Sequence, residues 1–371
     1  MLNSKTEALG IIFPNSYDAM VPDLVSERLM ASIPFASRYR MCDFILSSMV
    51  HSGIDNISII VRKNYHSLLD HLGAGREWDL VRKNGGLNIV PPFAQKQVKV
   101  FEGRIEALES LRGYLLKQPQ KYVIMTDANI AINFDFNELL DAHIKSGADV
   151  TMMYRKQEIP KAFIRQSRDR MDLYYALGMN GDRVSKIYIN PTEEGEMNFS
   201  MNIYVVEREF LINDAYVHGH TYFVRDLLDK QIDRLDIRGF CYDGYVVNIH
   251  DTQSYFEENM RLLQEENLNA LFSPNQIYTK IRDDNPTRYI NGSKAKNVMV
   301  ADGCVIEGEV ENSVLFRGVH VGKGAKVKNC VLMQDTVVED NASVEYVITD
   351  KNVRVTEGKS LTGNESYQVY V

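Results

Sequence analysis

The sequence lacks several features that identify whole classes of protein. None of its 371 residues belongs to a run of the ~18 apolar residues that a membrane-spanning helix needs. It has no excess of basic residues: 42 Lys and Arg against 50 Asp and Glu give a net charge of −8. Such a chain has no general attraction for nucleic acid or for an anionic membrane. The N-terminal apolar run is too short for a secretory signal, so we expect none.

Cysteines are few and far apart. The four are Cys42, Cys241, Cys304 and Cys330, with no C-x-x-C pair among them. This pattern argues against a disulfide framework or a structural zinc site, and it favours a reducing, cytoplasmic compartment. The composition, with 44% hydrophobic and 25% charged residues, is ordinary for a soluble globular protein. The length predicts two or three domains at roughly 150 residues each.

The first part of the chain alternates short β-branched runs with stretches of helical period. The predicted strands are Ala8–Phe13, Ile57–Val61, Tyr122–Thr126, Val150–Tyr154 and Ile203–Val206. Residues 64–72 and 136–145 have the spacing of amphipathic helices. Buried runs that alternate with helices indicate βαβ units on a mostly parallel sheet, so residues 1–265 are predicted to form an α/β domain.

The last part of the chain has a different pattern. Residues 266–290 have no clear period and are interpreted as a linker. From residue 291 to 371, branched residues recur at intervals of mostly five or six: Val300, Ile306, Val310, Leu315, Val321, Val327, Leu332, Val338 and Val344. A repeat near six residues is typical of a hexapeptide β-helix, whereas an ordinary antiparallel sheet would alternate with a period of two.

Several blocks of the first part resemble the ADP-glucose pyrophosphorylase family of sugar-nucleotide nucleotidyltransferases. They are Pro34–Phe44, Leu46–Ile54, Ser67–Leu80 and Gly85–Pro92. The first matches the family segment F-G-G-x-x-R-x-x-D-F, which lines the nucleotide and sugar-phosphate site. The resemblance covers nearly the whole chain and implies a Rossmann-like nucleotidyltransferase domain followed by a left-handed β-helix, the handedness resting on the resemblance alone. Active members make ADP-glucose and pyrophosphate from ATP and glucose 1-phosphate, with Mg²⁺.

The chain departs from the family at the positions that bind phosphates. The glycine-rich loop is replaced by a segment without glycine that contains Pro14 and Asp18, and Pro14 has no N–H group to offer a phosphate. Met30 stands at the lysine of R-x-K-P. Arg104 stands at the small threonine of G-T-A-D-A, and Asn190 at the lysine of F-x-E-K-P. These changes remove the backbone cradle and two of the cations that neutralise the transferred phosphates.

The metal-binding positions are also altered. The family segment G-Y-W-x-D-V-G-T aligns with Gly244–Asp251, which places Asn248 at the second metal-binding aspartate. A neutral amide is a weaker Mg²⁺ ligand than a carboxylate. Asp127 is either the remaining metal-binding aspartate or a turn or cap residue. We therefore expect no catalytic residue, no bound metal and no required cofactor in this chain.

These substitutions predict a catalytically degenerate, regulatory subunit of ADP-glucose pyrophosphorylase in bacterial glycogen synthesis. The resemblance implies that it activates a catalytic partner subunit, which uses Mg²⁺, in a cytoplasmic hetero-oligomer expected to be a tetramer. No nucleic-acid or membrane partner is expected. The resemblance also implies an effector site for phosphate or a sugar phosphate, with Arg28, Arg38 and Arg40 as candidate ligands. The alternative for Arg28 and Arg40 is a structural pairing with acids such as Asp43.

Other functions remain open at this point. An active adenylyltransferase with an altered phosphate loop would need Asp127 and Asn248 to hold Mg²⁺. A hexapeptide acyltransferase would use a histidine of the β-helix as its base, and His320 is the only histidine after residue 291. His250 lies next to Asp251, but no motif places a nucleophile beside them, so a structural histidine is favoured. A pure assembly scaffold would bind no effector at all.

Overall fold

The computed structural model describes residues 7–91, 103–166, 174–193, 195–213 and 220–371. Pro92, the last residue of the Gly85–Pro92 block, lies outside these described residues. Within them, no helix combines the length and the apolar character needed to cross a membrane.

The α/β domain contains thirteen strands and eight α-helices among the described residues. The strands are β1 (Ala8–Phe13), β2 (Pro34–Phe35), β3 (Tyr39–Arg40), β4 (Asn56–Ile60), β5 (Gly86–Val90), β6 (Tyr122–Asp127), β7 (Ile130–Ala131), β8 (Val150–Glu158), β9 (Tyr175–Asn180), β10 (Arg183–Ile189), β11 (Glu196–Glu207), β12 (Ile237–Cys241) and β13 (Val247–Asn248). The helices are α1 (Met41–His51), α2 (His66–Leu72), α3 (Arg104–Leu115), α4 (Phe136–Ser146), α5 (Lys161–Gln166), α6 (Arg208–Asn213), α7 (Thr252–Arg261) and α8 (Glu265–Phe272).

Nine of these strands form one sheet in the order β5-β4-β1-β6-β11-β8-β12-β10-β9. Seven strands run in one direction, and β10 and β11 run against them, so the mostly parallel sheet is confirmed. Strands β1, β4 and β6 are buried along their whole length, because apolar clusters cover both faces of the sheet. This explains why they read as continuous apolar runs. The predicted helices at 64–72 and 136–145 correspond to α2 and α4.

The C-terminal domain is a left-handed β-helix, as predicted. Its strands are β14 (Arg288–Tyr289), β15 (Lys294–Val300), β16 (Val305–Ile306), β17 (Glu309–Leu315), β18 (His320–Val321), β19 (Lys326–Lys328), β20 (Val331–Leu332), β21 (Val337–Val338), β22 (Ser343–Glu345), β23 (Val347–Thr349), β24 (Arg354–Val355), β25 (Ser360–Thr362) and β26 (Val369–Tyr370). All their ladder pairings are parallel. Buried apolar side chains, most of them valine, fill the interior.

The corners of the β-helix explain the small residues between the branched ones. One corner repeats a left-handed backbone conformation at Asn297, Asn312 and Asn329, with φ of 51°, 44° and 50°. A second corner does so at Gly303, Gly318 and then Asp335 and Asn352. Glycine and asparagine tolerate this conformation best, and they occupy most of these places, although Asp335 and Tyr346 also adopt it.

The predicted linker 266–290 contains regular structure at both ends. Helix α8 begins at Glu265 and buries Leu271, and β14 pairs with β16, so the β-helix already begins at Arg288. The two domains share one apolar cluster. It packs Tyr255 and Phe256 of α7 against Val314, Phe316 and Ile348 of the β-helix.

Candidate functional site

The segment after β1 folds back on itself instead of forming a phosphate cradle. The buried carboxylate of Asp18 accepts hydrogen bonds from Asn15 Nδ2 at 2.6 Å and from the backbone N–H of Met30 at 2.8 Å. Burial raises the pKa of Asp18. The side-chain oxygen of Asn15 in turn accepts a hydrogen bond from the backbone N–H of Arg62 at 3.0 Å. The carbonyl oxygen of Pro14 accepts one from the backbone N–H of Ala31 at 3.2 Å. The polar groups of this loop are therefore satisfied internally, and a carboxylate lies among them.

Arg104 lies on Asp127, the candidate metal-binding aspartate. Asp127 ends β6 and is fully buried, and its Oδ2 accepts a hydrogen bond from Arg104 Nη2 at 2.5 Å. Its other oxygen accepts the hydroxyl of Ser16, also at 2.5 Å. Asp127 is thus neither a turn nor a cap residue. It is the buried acid of an intramolecular ion pair.

The surroundings of Arg104 hold its side chain in this place. The guanidinium lies over the rings of Phe13 and Tyr204, 5.4 Å from each centroid, and donates to the Tyr204 hydroxyl at 3.2 Å. Burial alone would lower the pKa of Arg104, but Asp127, Tyr204 and Tyr17 together outweigh burial and raise that pKa. Gly103 precedes α3 so close to Thr221 that a Cβ atom there would lie 2.0 Å from its carbonyl oxygen. This close approach fixes the start of α3 and hence the direction of Arg104.

The residues at the two metal positions do not fit a magnesium site. Both oxygens of Asp127 are occupied by donors, one of them a cation. Asn248, in β13, uses its Oδ1 to accept Asn129 Nδ2 at 3.0 Å. A divalent cation here would have to displace the Arg104 guanidinium and would then find only one carboxylate. No catalytic step can be assigned to this pair of residues.

The sugar-phosphate side of the site is equally altered. Asn190 has a left-handed φ of 48°, and its Oδ1 accepts the backbone N–H of Tyr174 at 3.1 Å, so it closes the end of the β9–β10 hairpin. The cavity between Tyr17, Asn202 and Asn248 has a volume of about 20 Å³, room for about one water molecule. Met30 is buried in the apolar cluster shared by the two domains.

The histidines considered as general bases have structural surroundings. His250 stacks on Phe163 with ring centroids 5.1 Å apart, and burial lowers its pKa. Its neighbour Asp251 is the N-cap of α7 and accepts the backbone N–H of Ser254 at 2.7 Å. His320 is half-exposed on the β-helix and lies 3.1 Å from Glu307. Neither histidine lines the two cavities described here.

A larger cavity of about 400 Å³ lies between the two domains, and we call it the basic pocket. It is lined by six cationic side chains: Arg38, Arg40, Lys280, Arg282, Arg317 and Lys351. Asp70 and His71 of α2 also line it, and Asp70 is bound by Lys280 at 3.1 Å. The excess of positive charge in a concave site suits an anionic ligand.

The residues of the basic pocket come from segments far apart in the chain. The turn Pro34–Arg40 is held by α7, because Tyr255 donates to the carbonyl of Pro34 at 2.8 Å and Asn259 accepts the N–H of Ala36 at 3.1 Å. Within this turn, Arg40 donates to the carbonyl and hydroxyl of Ser67 at 2.5 and 2.8 Å. The structure therefore brings together two of the three predicted effector residues, Arg38 and Arg40.

Arg28 is a correction to that prediction. It is buried and does not line the basic pocket; its guanidinium donates to Asp350 of the β-helix at 2.5 Å and to the carbonyl of Leu24 at 3.0 Å. The structural alternative therefore holds for Arg28, with Asp350 rather than Asp43 as its partner. Asp43 instead binds His71 at 2.6 Å and accepts the backbone N–H of Arg40 at 3.0 Å.

Sequence reasoning missed four cations of the basic pocket. Lys280 and Arg282 lie in the predicted linker, and Arg317 and Lys351 lie at turns of the β-helix. The only available signal was that basic residues interrupt the polar turns of the repeat, which is common on exposed surfaces. Arg317 is nevertheless 8% exposed, and its buried Nε has no hydrogen-bond partner among the described residues. Burial and then Arg38 and Arg282 lower its pKa.

Cys42, Asp43 and His71 form the only group of three potential metal ligands within the described part of the chain. Their ligand atoms lie within 4.8 Å of one another, and all three residues are buried. The Asp43 carboxylate is already hydrogen-bonded to His71, and burial raises the pKa of the Cys42 thiol well above its usual range. This group is therefore explained by its own hydrogen bonds.

Comparison with family models assigns both domains. Residues 23–265 match the nucleotidyl transferase family, and residues 281–367 match the GlmU-like C-terminal hexapeptide family. The first match begins after the loop that contains Pro14 and Asp18, where the chain departs from the phosphate-binding pattern.

Curated relatives cover almost the full length of the chain. It is 33% identical over 361 residues to the glycogen biosynthesis protein GlgD of Bacillus subtilis (strain 168), covering 96% of this chain and 93% of the relative. It is 35% identical over 324 residues to GlgD of Geobacillus stearothermophilus, covering 86% and 82% of the two chains. With the glucose-1-phosphate adenylyltransferase of Geobacillus stearothermophilus, identity is 29% over 336 residues, covering 87% and 84%.

Proposed function

The chain belongs to the ADP-glucose pyrophosphorylase family of nucleotidyl transferases, together with the GlgD proteins, and we propose that it is a catalytically degenerate regulatory subunit. In this role it associates with a catalytic subunit that makes ADP-glucose and pyrophosphate from ATP and glucose 1-phosphate with Mg²⁺. The process it serves is bacterial glycogen biosynthesis in the cytoplasm. All four cysteines are unpaired, which supports a reducing compartment.

The observation that carries this proposal is the pair between Arg104 and Asp127 at 2.5 Å. A cation of the chain itself neutralises the acid that would otherwise hold a metal. Together with Asn248 and the folded-back loop at Asp18, it removes the metal site and the phosphate cradle at once. Transition-state stabilisation by metal and phosphate-binding groups is the largest contribution that such an enzyme supplies, so its loss leaves a subunit without chemistry of its own.

The basic pocket supports a regulatory role over that of a plain scaffold. Its six cations face one cavity at the boundary between the domains, where a bound anion contacts both. Our proposal is that inorganic phosphate or a sugar phosphate binds there. Such an effector changes the partner's activity only if it binds one arrangement of the complex better than another.

The first coil of the β-helix supports association with a second chain. Strand β15 pairs only with β17 and β14 only with β16, so both have one free edge among the described residues. Tyr289 and Ile290 beside this edge are 55% and 38% exposed. A catalytic subunit with the same kind of β-helix is the partner we propose, most simply in a tetramer of two subunit types.

The test combines activity and assembly. The purified chain is assayed for ADP-glucose synthesis and pyrophosphate exchange with Mg²⁺, and then mixed or co-expressed with a glucose-1-phosphate adenylyltransferase from the same source. We expect no turnover alone, co-elution with the catalytic subunit at micromolar concentration, and a change in its kcat or substrate affinity. Turnover of about 1 s⁻¹ or more by the isolated chain would instead favour the active-enzyme alternative. Separate elution with unchanged kinetics would refute the regulatory role.

A further inference from the structure

Lys351 is the one lysine of the basic pocket without an acid beside its amine. It follows Asp350, but the Asp350 carboxylate is bound by Arg28 at 2.5 Å and by the Tyr370 hydroxyl at 3.0 Å. Lys351 itself reaches Asp350 only through its backbone N–H, at 2.6 Å. Within the described part of the chain, no carboxylate lies within 4 Å of Lys351 Nζ, whereas Lys280 of the same pocket is bound to Asp70.

The charges that face Lys351 are mostly positive. Arg40 from the turn before α1 and Arg28 from the segment before it are the main cations, and Asp350 and Asp70 offset them only in part. Burial and then these two arginines lower the pKa of Lys351 to about 8. A larger fraction of such amines is therefore neutral near pH 8 than of an ordinary lysine. A neutral amine is a nucleophile, and a protonated one is not.

We propose that Lys351 is an acylation site, whose amine accepts the acyl group of a small acyl phosphate that the cations of the basic pocket hold by its phosphate. The inference rests on the anion-binding role proposed above for the same pocket. A cavity of about 400 Å³ is large enough for such a molecule. Of its other five cations, Arg40 has no acid within 4.0 Å among the described residues and the remaining four share three acids, so a net positive charge remains to attract and orient the phosphate.

The reaction balances without any further reagent. The lone pair of Lys351 Nζ attacks the carbonyl carbon of the acyl phosphate and forms the C–N bond. The bond between that carbon and the bridging oxygen breaks, the phosphate leaves with its electron pair, and the amine releases one proton to solvent. The products are a neutral amide and inorganic phosphate. Because acylation removes one positive charge from the basic pocket, the modified chain binds anionic ligands more weakly.

The chain contains its own control lysines. Lys294 and Lys296 are exposed on β15 and are paired with Glu309 and Glu311 at 2.6 and 2.8 Å. These pairings raise the pKa of both lysines, so they are accessible but less often neutral. The full-length chain is incubated with acetyl phosphate between pH 7 and 9, with and without sulfate, and acetylation of each lysine is measured by peptide mass spectrometry.

We expect Lys351 to be acetylated at least tenfold faster than Lys294 and Lys296. Sulfate and Arg317→Gln should each slow the reaction at Lys351 and leave the two control lysines unchanged. Equal rates at all three lysines, or a fast reaction at Lys351 that sulfate does not slow, would overturn the inference. Sulfate binding is measured separately by thermal unfolding. If sulfate binds but Lys351 is not acetylated faster than the control lysines, the acylation proposal is refuted and the anion site remains. If sulfate does not bind, both the anion site and the acylation proposal are refuted.

Discussion

The Arg104 guanidinium neutralises the Asp127 carboxylate at 2.5 Å, at the end of strand β6. The Asp127 side chain is fully buried and that of Arg104 is 16% exposed, so water screens the pair very little. The same pair that excludes a metal also satisfies a buried charge.

Arg104→Ala should destabilise the chain by about 3–5 kcal/mol, because it leaves the Asp127 charge buried and unpaired. The measurement is equilibrium unfolding in urea. Arg354→Ala is the matched control: Arg354 is also 2.5 Å from its acid, Glu339, but the two side chains are 62% and 30% exposed. The double variant Arg104→Ala with Asp127→Asn should regain part of the lost stability. Equal effects of Arg104→Ala and Arg354→Ala would show that the pair is not the buried ion pair described here.

Asn248→Asp alone should not produce adenylyltransferase activity. It restores one carboxylate, but the Arg104 guanidinium is still bound to the Asp127 carboxylate, and the folded-back loop Pro14–Asp18 still offers no backbone cradle for phosphates. Pyrophosphate exchange with Mg²⁺ is the sensitive readout, and a variant of the catalytic subunit with the reverse Asp→Asn change provides the scale. Measurable exchange by the Asn248→Asp chain would mean that the loop and Arg104 are not barriers.

Sulfate should protect the chain against thermal unfolding through the basic pocket. A ligand at one hundred times its Kd adds about 2.7 kcal/mol to the stability of the folded state. Arg317→Gln should weaken sulfate binding about 10- to 100-fold, since a hydrogen bond between charged groups contributes about 1.5–3 kcal/mol. Arg354→Gln, another arginine of the β-helix that lies outside the pocket, is the control. The anion site is refuted if sulfate protects all three proteins equally.

His143 should make the fold sensitive to mild acid. It lies on the buried face of α4, where its Nδ1 shares a hydrogen bond with the Thr151 hydroxyl at 2.8 Å, and burial lowers its pKa from 6.5 to about 4. Between these two values the unfolded chain binds the proton and the folded chain does not. The contribution of neutral His143 to the free energy of unfolding is therefore complete above about pH 6.5 and is lost as the pH falls towards 4.

The check for His143 is the urea midpoint at pH 7.0, 5.5 and 4.5. His143→Gln should reduce the fall in stability between pH 7.0 and 4.5, relative to the unaltered chain. His320→Gln changes a half-exposed histidine and should leave the fall as it is. If both variants have the same pH profile as the unaltered chain, His143 is not the group responsible.

Much of the architecture followed from local patterns. The runs at Ala8–Phe13 and Tyr122–Thr126 are β1 and β6, and the six-residue repeat from Val300 to Val344 is the β-helix. These elements are readable because burial and periodicity act on neighbouring residues. Linker boundaries were less readable, because α8 and β14 are stabilised by packing against residues far away in the chain.

The substitutions at the phosphate-binding and metal-binding positions were visible in the sequence itself. Residue 14 is a proline without an N–H group, and residue 248 has an amide where the family motif has an acid. Both properties belong to the side chains themselves and do not depend on the fold. Only the tertiary structure decided where the long arginine side chains go. Arg104 could have lain in solvent, but a buried acid lies within its reach, and Arg28 likewise pairs with Asp350 instead of an effector. The six cations of the basic pocket come from four separated segments of the chain. Residues so far apart leave no periodic signal, because only the packing of one domain on the other brings their charges together.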